Sequence, residues 1–173
     1  MNTFDEILSL RASGHVRRYH TVPHVASQSV AEHCAQALTL LFLLHPSPSV
    51  DLIKATLWHD APERTTGDMP APIKRDFEQL RDAMDCAERF FIVNHSTLHN
   101  AFLNLTEEDL AWLKAVDSLE LFLWCHDQMA MGNRHFAVME RRVVQWIESH
   151  PETPEAVLKF MRRYALQEHG SLI

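Results

Sequence analysis

Glycine is scarce, with four in 173 residues, and no internal repeat or low-complexity tract is visible. That poverty leaves little room for the tight turns of an all-β architecture or for a flexible linker between domains. Cysteine is rarer still. Cys34, Cys86 and Cys125 are odd in number and widely spaced, which argues against a disulfide framework or a paired-thiolate metal motif. They read as reduced thiols buried like small hydrophobes. Long apolar runs are missing too, since none approaches the roughly 20 residues of a membrane span. The opening MNTFDEILSL carries acids and no basic region, so a secretory signal is not expected and the cytoplasm is the expected location. Basic residues are outnumbered, 16 against 23 acidic, for a formal charge of −7. A duplex groove needs clustered Lys and Arg, so nucleic acid is not an expected partner. A small anion stays compatible, because it needs only a local cationic pocket.

What is present is the composition of an ordinary globular chain, 46% apolar and 23% charged, long enough to bury one core. Helix-start signals recur along it. Thr3 with Glu6 and Ser29 with Glu32 have capping-box spacing, in which a hydroxyl accepts an orphan N–H and the carboxylate reaches back. Thr106 with Asp109 is a looser variant, while Ser47-Pro48 and Thr153-Pro154 pair a cap with proline in the first turn. These signals predict helices near 3–12, 28–45, 48–64, 72–95, 106–131, 134–150 and 153–168. Two informative loops lie between them, GHVRRYHTVPHVASQ and TTGDMPAP. The expected fold class is all-α, in one domain over residues 1–173.

Polar residues then fall where the helical pattern calls for apolar ones. Four and seven residues either side of Asp117 stand Leu110, Leu113, Leu121 and Trp124, so its carboxylate sits in an apolar stripe. Unpaired there, it would cost several kcal/mol or change its protonation. His33 begins a face continued by Ala37, Leu40, Leu41 and Leu44. His59 follows Leu52 and Ala55, and Asp60 follows Ile53 and Thr56. Any one of these alone is more often a hydrogen-bonded core residue or an ion-pair member than a ligand. Four inward groups from three helices are better explained by one divalent cation that satisfies them together. Mixed imidazole and carboxylate donors suit Zn, Mn, Fe, Co or Ni, and the lack of a thiolate set favours an open, hydrolytic site. Glu63, four residues after His59 and three after Asp60, shares their face.

The order His33, His59-Asp60, Asp117 resembles the ligand signature of the HD-domain metal phosphohydrolases. Longer stretches narrow the likeness. RYHTVPHVASQSVAEH, from Arg18 to His33, is similar to the Arg-aromatic element and the V-[SA]-E-H helix of the bacterial 5′-deoxynucleotidases. HDAPERTTGDMPAPIK resembles their HD-x-x-E-x-x-T-G-D-x-P-x-P-x-K segment almost position for position. Most of residues 10–125 is covered. Two departures stand out. Tyr19 stands where those enzymes usually carry Trp, and the short chain is closer in size to the phage dATP triphosphohydrolases of the same branch.

The resemblance implies a compact HD-domain helical fold and a divalent transition metal (zinc, cobalt or manganese) on His33, His59, Asp60 and Asp117. It gives Glu63 the task of orienting a water or shuttling its proton, and puts Asp68 near the sugar and the reacting phosphate. Arg18 and Lys74 would meet the phosphate, and Tyr19 the deoxyribose, where an added 2′-hydroxyl would collide. Ala71, Pro72 and Ile73 would lie along the substrate, with Val22 and Pro70 joining Pro72 as walls for the base. Glu120 and Glu32 are expected to pair near the metal, whereas His126-Asp127 repeats the letters of the motif by chance. Phe90, Phe91, Phe102, Phe136 and Trp146 read as core or subunit contacts. Arg17, Arg64 and Arg75 are as readily solvated surface as phosphate contacts.

The first-choice activity is removal of triphosphate from dATP, leaving deoxyadenosine and depleting dATP in favour of 2-aminoadenine nucleotides. A phage-encoded enzyme of that kind would work in the host cytoplasm. A triphosphate exceeds what one metal and Arg18 neutralise, so further divalent ions or Lys74, Arg75 and Arg17 would have to share it. The second choice is a 5′-deoxynucleotidase acting on dNMPs. A catalytically inactive nucleotide sensor is the alternative from another class, disfavoured by the intact ligands with Glu63 and Asp68. The resemblance also implies a small-molecule deoxynucleotide partner, no membrane, and a homo-oligomer, dimer or hexamer.

Overall fold

Ten α-helices and one 3₁₀ turn make up the computed structural model, which describes residues 1–170. In chain order they are α1 (Thr3–Ser13), α2 (Val30–Leu44), α3 (Val50–Trp58), α4 (Glu63–Thr66) and α5 (Ala71–Asp76). Then come α6 (Glu78–Asn94), α7 (Ser96–Leu103), α8 (Glu107–Ala130), the 3₁₀ turn Arg134–Phe136, α9 (Ala137–Ser149) and α10 (Glu155–Gly170). The all-α class holds, with one isolated antiparallel bridge between Arg17 and Ser29. Among the described residues no helix is long and apolar enough to cross a membrane.

Local chemistry explains most of the boundaries. Ser29 with Glu32 and Thr106 with Asp109 form full capping boxes, so α2 and α8 start where the sequence places them. Two other caps are corrected. Asn2, not Thr3, accepts the Asp5 N–H that starts α1, and Ser49, not Ser47, accepts the Leu52 N–H that starts α3. Glu6 leaves its own helix and accepts from Ser96 Oγ at 2.9 Å and Thr97 N at 2.7 Å, capping α7 from across the molecule.

Two expected long helices are broken. The run 48–64 ends at Trp58, because Pro62 has no N–H to give the Trp58 carbonyl. Ala61 N–H takes that carbonyl at 2.9 Å, and successive three-residue turns carry the chain to α4. His59 and Asp60 therefore sit on a turn at the end of α3 rather than inside a helix. The run 72–95 breaks at extended Phe77, and α7 follows α6 with only His95 between them. Buried His95 bridges Ser9 Oγ at 2.7 Å and the Phe91 carbonyl, which fixes that corner.

The main core is Leu41 of α2, Leu52 and Ala55 of α3, Val116, Leu119 and Phe122 of α8, Ile147 of α9 and Val157 of α10. Burial of each large aliphatic side chain stabilises the fold by about 1.5–3 kcal/mol. A second cluster of Ala61, Phe91 and Leu98 seats the 59–62 turn on α6 and α7. Residues 15–28 have no regular helix, yet they are pinned at both ends. Arg18 N–H bonds the Gln28 carbonyl and Val30 N–H the Val16 carbonyl, each at 2.9 Å. Gly14 permits this closure, since a Cβ there would stand 2.9 Å from Ala31 Cβ.

Candidate active site

Three elements aim polar atoms at one point. Fully buried His33 of α2 places Nε2 3.2 Å from His59 Nε2, 3.5 Å from Asp60 Oδ2 and 3.0 Å from Asp117 Oδ1. His59 Nε2 lies 3.5 Å from Asp60 Oδ1 and 3.6 Å from Asp117 Oδ1. His33, His59 and Asp60 each offer one atom, all within 4.8 Å of one another, with Asp117 against both imidazoles. The turn that replaces the end of the expected helix swings His59 and Asp60 together toward α2 and α8.

The tautomers of the two rings follow from their other nitrogens. His59 Nδ1 lies 2.9 Å from the Thr56 carbonyl, which can only accept, so Nδ1 carries the hydrogen. His33 Nδ1 bonds the buried carboxylate of Glu120, which also accepts from Gln28 Nε2 at 2.7 Å. In their neutral forms both rings therefore turn Nε2 lone pairs toward each other, with Asp60 and Asp117 alongside. Two nitrogen and two carboxylate donors in that convergence fit a divalent ion of borderline hardness. Burial alone would lower the affinity of both imidazoles for protons. It is outweighed at His33 by hydrogen bonds to Asp117 and Glu120, and at His59 by the Asp60 charge, so both are raised. Burial would likewise raise Asp117, but hydrogen bonds from His33 and His59 hold it well below the usual carboxylate range.

Arg18 is drawn inward. Its Nη1 bonds Asp60 Oδ2 at 2.8 Å and its Nη2 the Tyr19 hydroxyl at 3.1 Å. Burial works against the guanidinium charge, but Tyr19, Asp60 and Asp117 keep it firmly protonated. Tyr19 stacks on Trp124, with ring centroids 6.2 Å apart, and meets Phe136 edge-on at 5.6 Å. Its backbone is in the left-handed region at φ 57, a conformation that L side chains rarely adopt. Asp68 holds it there, accepting the Tyr19 N–H on Oδ2 at 2.7 Å. The Gly67 turn at φ 73 presents Asp68 for that contact.

Glu63 begins α4 with Oε2 buried and without a hydrogen-bond partner among the described residues. Burial and the charges of Asp60 and Asp68 push its carboxyl up to about 8. Lys74, on α5, gives its Nζ to Glu88 Oε1 of α6 at 2.9 Å, while its charge also faces Glu63 and Asp60.

The remaining expected contacts spread out. Val22 turns back on the Tyr19 carbonyl at 2.9 Å, which keeps it beside the Arg18–Tyr19 step. Ala71 and Pro72 are exposed at the start of α5, and Pro70 and Ile73 are half-buried. Arg75 pairs with Asp76, and exposed Arg17 lies 3.4 Å from Ser27 Oγ. Glu32 serves the α2 cap at the surface and does not reach the ligands as expected. His126 packs on Tyr164 and lies 3.9 Å from Glu140, apart from the ligand cluster.

Several residues escaped the sequence reading. Fully buried Gln128 accepts from Val25 N–H at 2.9 Å and donates to the Ala26 carbonyl at 3.3 Å. Asn133 donates to the Pro23 carbonyl at 2.8 Å, and Gln28 to Glu120. Gln128 continues the stripe Asp117, Leu121, Trp124, so a polar residue on a buried face was its signal. Gln28 and Asn133 lie in loops and gave none.

The architecture is all-helical, with a buried histidine–aspartate cluster of a kind that could hold a metal ion. It aligns with the HD-domain phosphohydrolase of Listeria innocua at a TM-score of 0.77 and 18% identity, covering 97% of this chain and 89% of that one. It also aligns with the HD phosphohydrolase DatZ of cyanophage S-2L, solved with dA and one catalytic Zn²⁺, at a TM-score of 0.68 and 16% identity over 96% and 98% of the two chains. The 5′-deoxynucleotidase VP0926 of Vibrio parahaemolyticus is 24% identical over 174 aligned residues, 81% of this chain and 82% of the relative. The family described as 5′-deoxynucleotidase YfbR-like matches residues 8–167. The chain belongs to that family, a branch of the HD-domain phosphohydrolases.

Proposed function

We propose that the enzyme hydrolyses 2′-deoxynucleoside 5′-monophosphates to deoxynucleoside and phosphate, with His33, His59, Asp60 and Asp117 holding a divalent metal. One observation carries the choice of a monophosphate. Among the described residues, Arg18 and Lys74 border the cluster, and each is committed to a carboxylate, Arg18 to Asp60 and Lys74 to Glu88. That leaves charge enough for one phosphate and little for three. The dATP triphosphohydrolase reading uses the same attack at the α-phosphorus but needs cations that are engaged elsewhere. Arg75 faces Asp76, and Arg17 lies at the surface.

A divalent ion in this donor set supplies Lewis acidity toward water and a phosphoryl oxygen. Arg18, fixed by Asp60 and the Tyr19 hydroxyl, sets a positive charge beside the cluster that orients the phosphate. Water attacks phosphorus, the bond to the 5′-oxygen breaks, and one proton must leave the water while one reaches that oxygen. Glu63 performs the transfer. Burial and the neighbouring Asp60 and Asp68 charges raise its carboxyl, which suits it to take the proton from water and pass it to the 5′-oxygen. Tyr19, wedged between Trp124 and Phe136, gives the sugar a rigid wall.

The test is a substrate panel of dAMP, AMP and dATP with zinc, cobalt or manganese, with products resolved by chromatography. Phosphate release should be fastest from dAMP, slower from AMP and slowest from dATP. Faster release of triphosphate from dATP than of phosphate from dAMP would overturn the monophosphate reading. Binding without turnover of any would point to a nucleotide sensor.

A further inference from the structure

We propose that Glu88 of α6 sets how many phosphates the site accepts, by neutralising Lys74 at its rim. This rests on the monophosphate reading above. Lys74 follows the loop that carries Asp68, and its charge faces Glu63 and Asp60, so the ammonium stands within electrostatic reach of the ligand cluster. Its Nζ nevertheless lies 2.9 Å from Glu88 Oε1. Both side chains are about one-third exposed, 34% and 29%, which places the pair where solvent and a substrate tail compete for it. A ligand extending past Arg18 meets an ion pair of zero net charge instead of a cation. Glu88 also repels each further phosphate that arrives.

The charges around the site make this matter. Asp60, Asp68, Asp117 and Glu120 crowd it with carboxylate, and Arg18 already shares its charge between Asp60 and the first phosphate. Lys74 is thus the cation whose availability decides whether extra negative charge is tolerated. Its four-carbon stem is flexible, so the ammonium can move once Glu88 is gone. Exposed ion pairs contribute little to stability, so Glu88 can be neutralised without unfolding the chain.

The experiment compares the metal-loaded wild type with Glu88→Gln and with Glu88→Gln combined with Lys74→Met. Inorganic phosphate and inorganic tripolyphosphate serve as calorimetric probes in buffer saturated with the same divalent ion. For Glu88→Gln, tripolyphosphate should bind about threefold to thirtyfold tighter, while phosphate changes by less than about twofold. The gain should shrink at high salt, because the pair is solvent-facing. The ratio of kcat/KM on dATP to that on dAMP should rise by a similar factor. The double variant should lose the whole gain, which a merely structural role for Glu88 would not predict. Unchanged tripolyphosphate affinity in Glu88→Gln, or a gain that survives in the double variant, overturns the proposal. If the wild type hydrolyses neither nucleotide, the functional reading falls and the binding comparison still decides the role of Glu88.

Discussion

Replacing Asp68 with alanine should disconnect the Arg18–Tyr19 step from the ligand cluster while leaving the helical core intact. Asp68 Oδ2 accepts the Tyr19 N–H at 2.7 Å and so holds a tyrosine at φ 57. A left-handed conformation costs a non-glycine residue about 1–2 kcal/mol. A hydrogen bond to a charged group contributes roughly 1.5–3 kcal/mol, enough to offset that cost. Without it the backbone relaxes, Tyr19 leaves its stack on Trp124, and Arg18 loses the hydroxyl that steadies it. At 1.4 kcal/mol per factor of ten, kcat/KM on dAMP should fall about tenfold to a hundredfold. Asp68→Asn keeps an acceptor for the N–H and should lose less. Kinetics on both variants, with amide hydrogen exchange across residues 15–28, gives the readout. Equal loss in the two variants with exchange unchanged would refute the reasoning, and would instead make the Asp68 charge a direct participant in the reaction.

Two further perturbations separate the other roles. His59→Ala or Asp117→Ala should abolish turnover and cut bound metal by atomic absorption, whereas Glu63→Gln should keep its metal and lose about 10²–10⁴-fold in kcat; loss of metal in Glu63→Gln would make Glu63 a ligand. Glu6 gives the pH dependence of stability: burial alone would raise its carboxyl, but hydrogen bonds from Thr97 and Ser96 hold it below the usual value near 4.5. A depressed folded-state value stabilises above the unfolded-state value, and that contribution is lost as pH falls through the folded one. Glu6→Gln should therefore melt below wild type at neutral pH, and the gap should close in acid below about pH 4; a constant gap would show that the carboxylate charge does not cap α7.

Legibility differed by kind of signal. Periodicity carried the class and the positions of α2 and α8, because capping boxes and apolar stripes are local. It misplaced the ends of two long helices. Pro62 looked tolerable inside a helix until its missing N–H met the Trp58 carbonyl, and Phe77 carried no breaker signal. All four candidate ligands were visible as polar residues on apolar faces, and the structure brings them together. What stayed hidden depended on pairing across the fold. The Glu6 bond to α7, the Gln28 chain to Glu120 and the Lys74–Glu88 pair link residues too far apart in sequence for any local pattern to join.

Asp117, Glu120, Trp124 and Gln128 follow one another on α8 at intervals of three, four and four residues. Each meets a different part of the chain: the imidazoles, the Gln28–His33 link, Tyr19, and the backbone of Val25 and Ala26. The helix works like the bitting of a key, in which the cuts are useful only in phase. One residue inserted between Asp117 and Gln128 would rotate everything beyond it by about 100°. The loop would then lose its anchors while the ligands kept theirs, or the reverse. Between those two residues the count itself decides which parts of the chain the helix can reach.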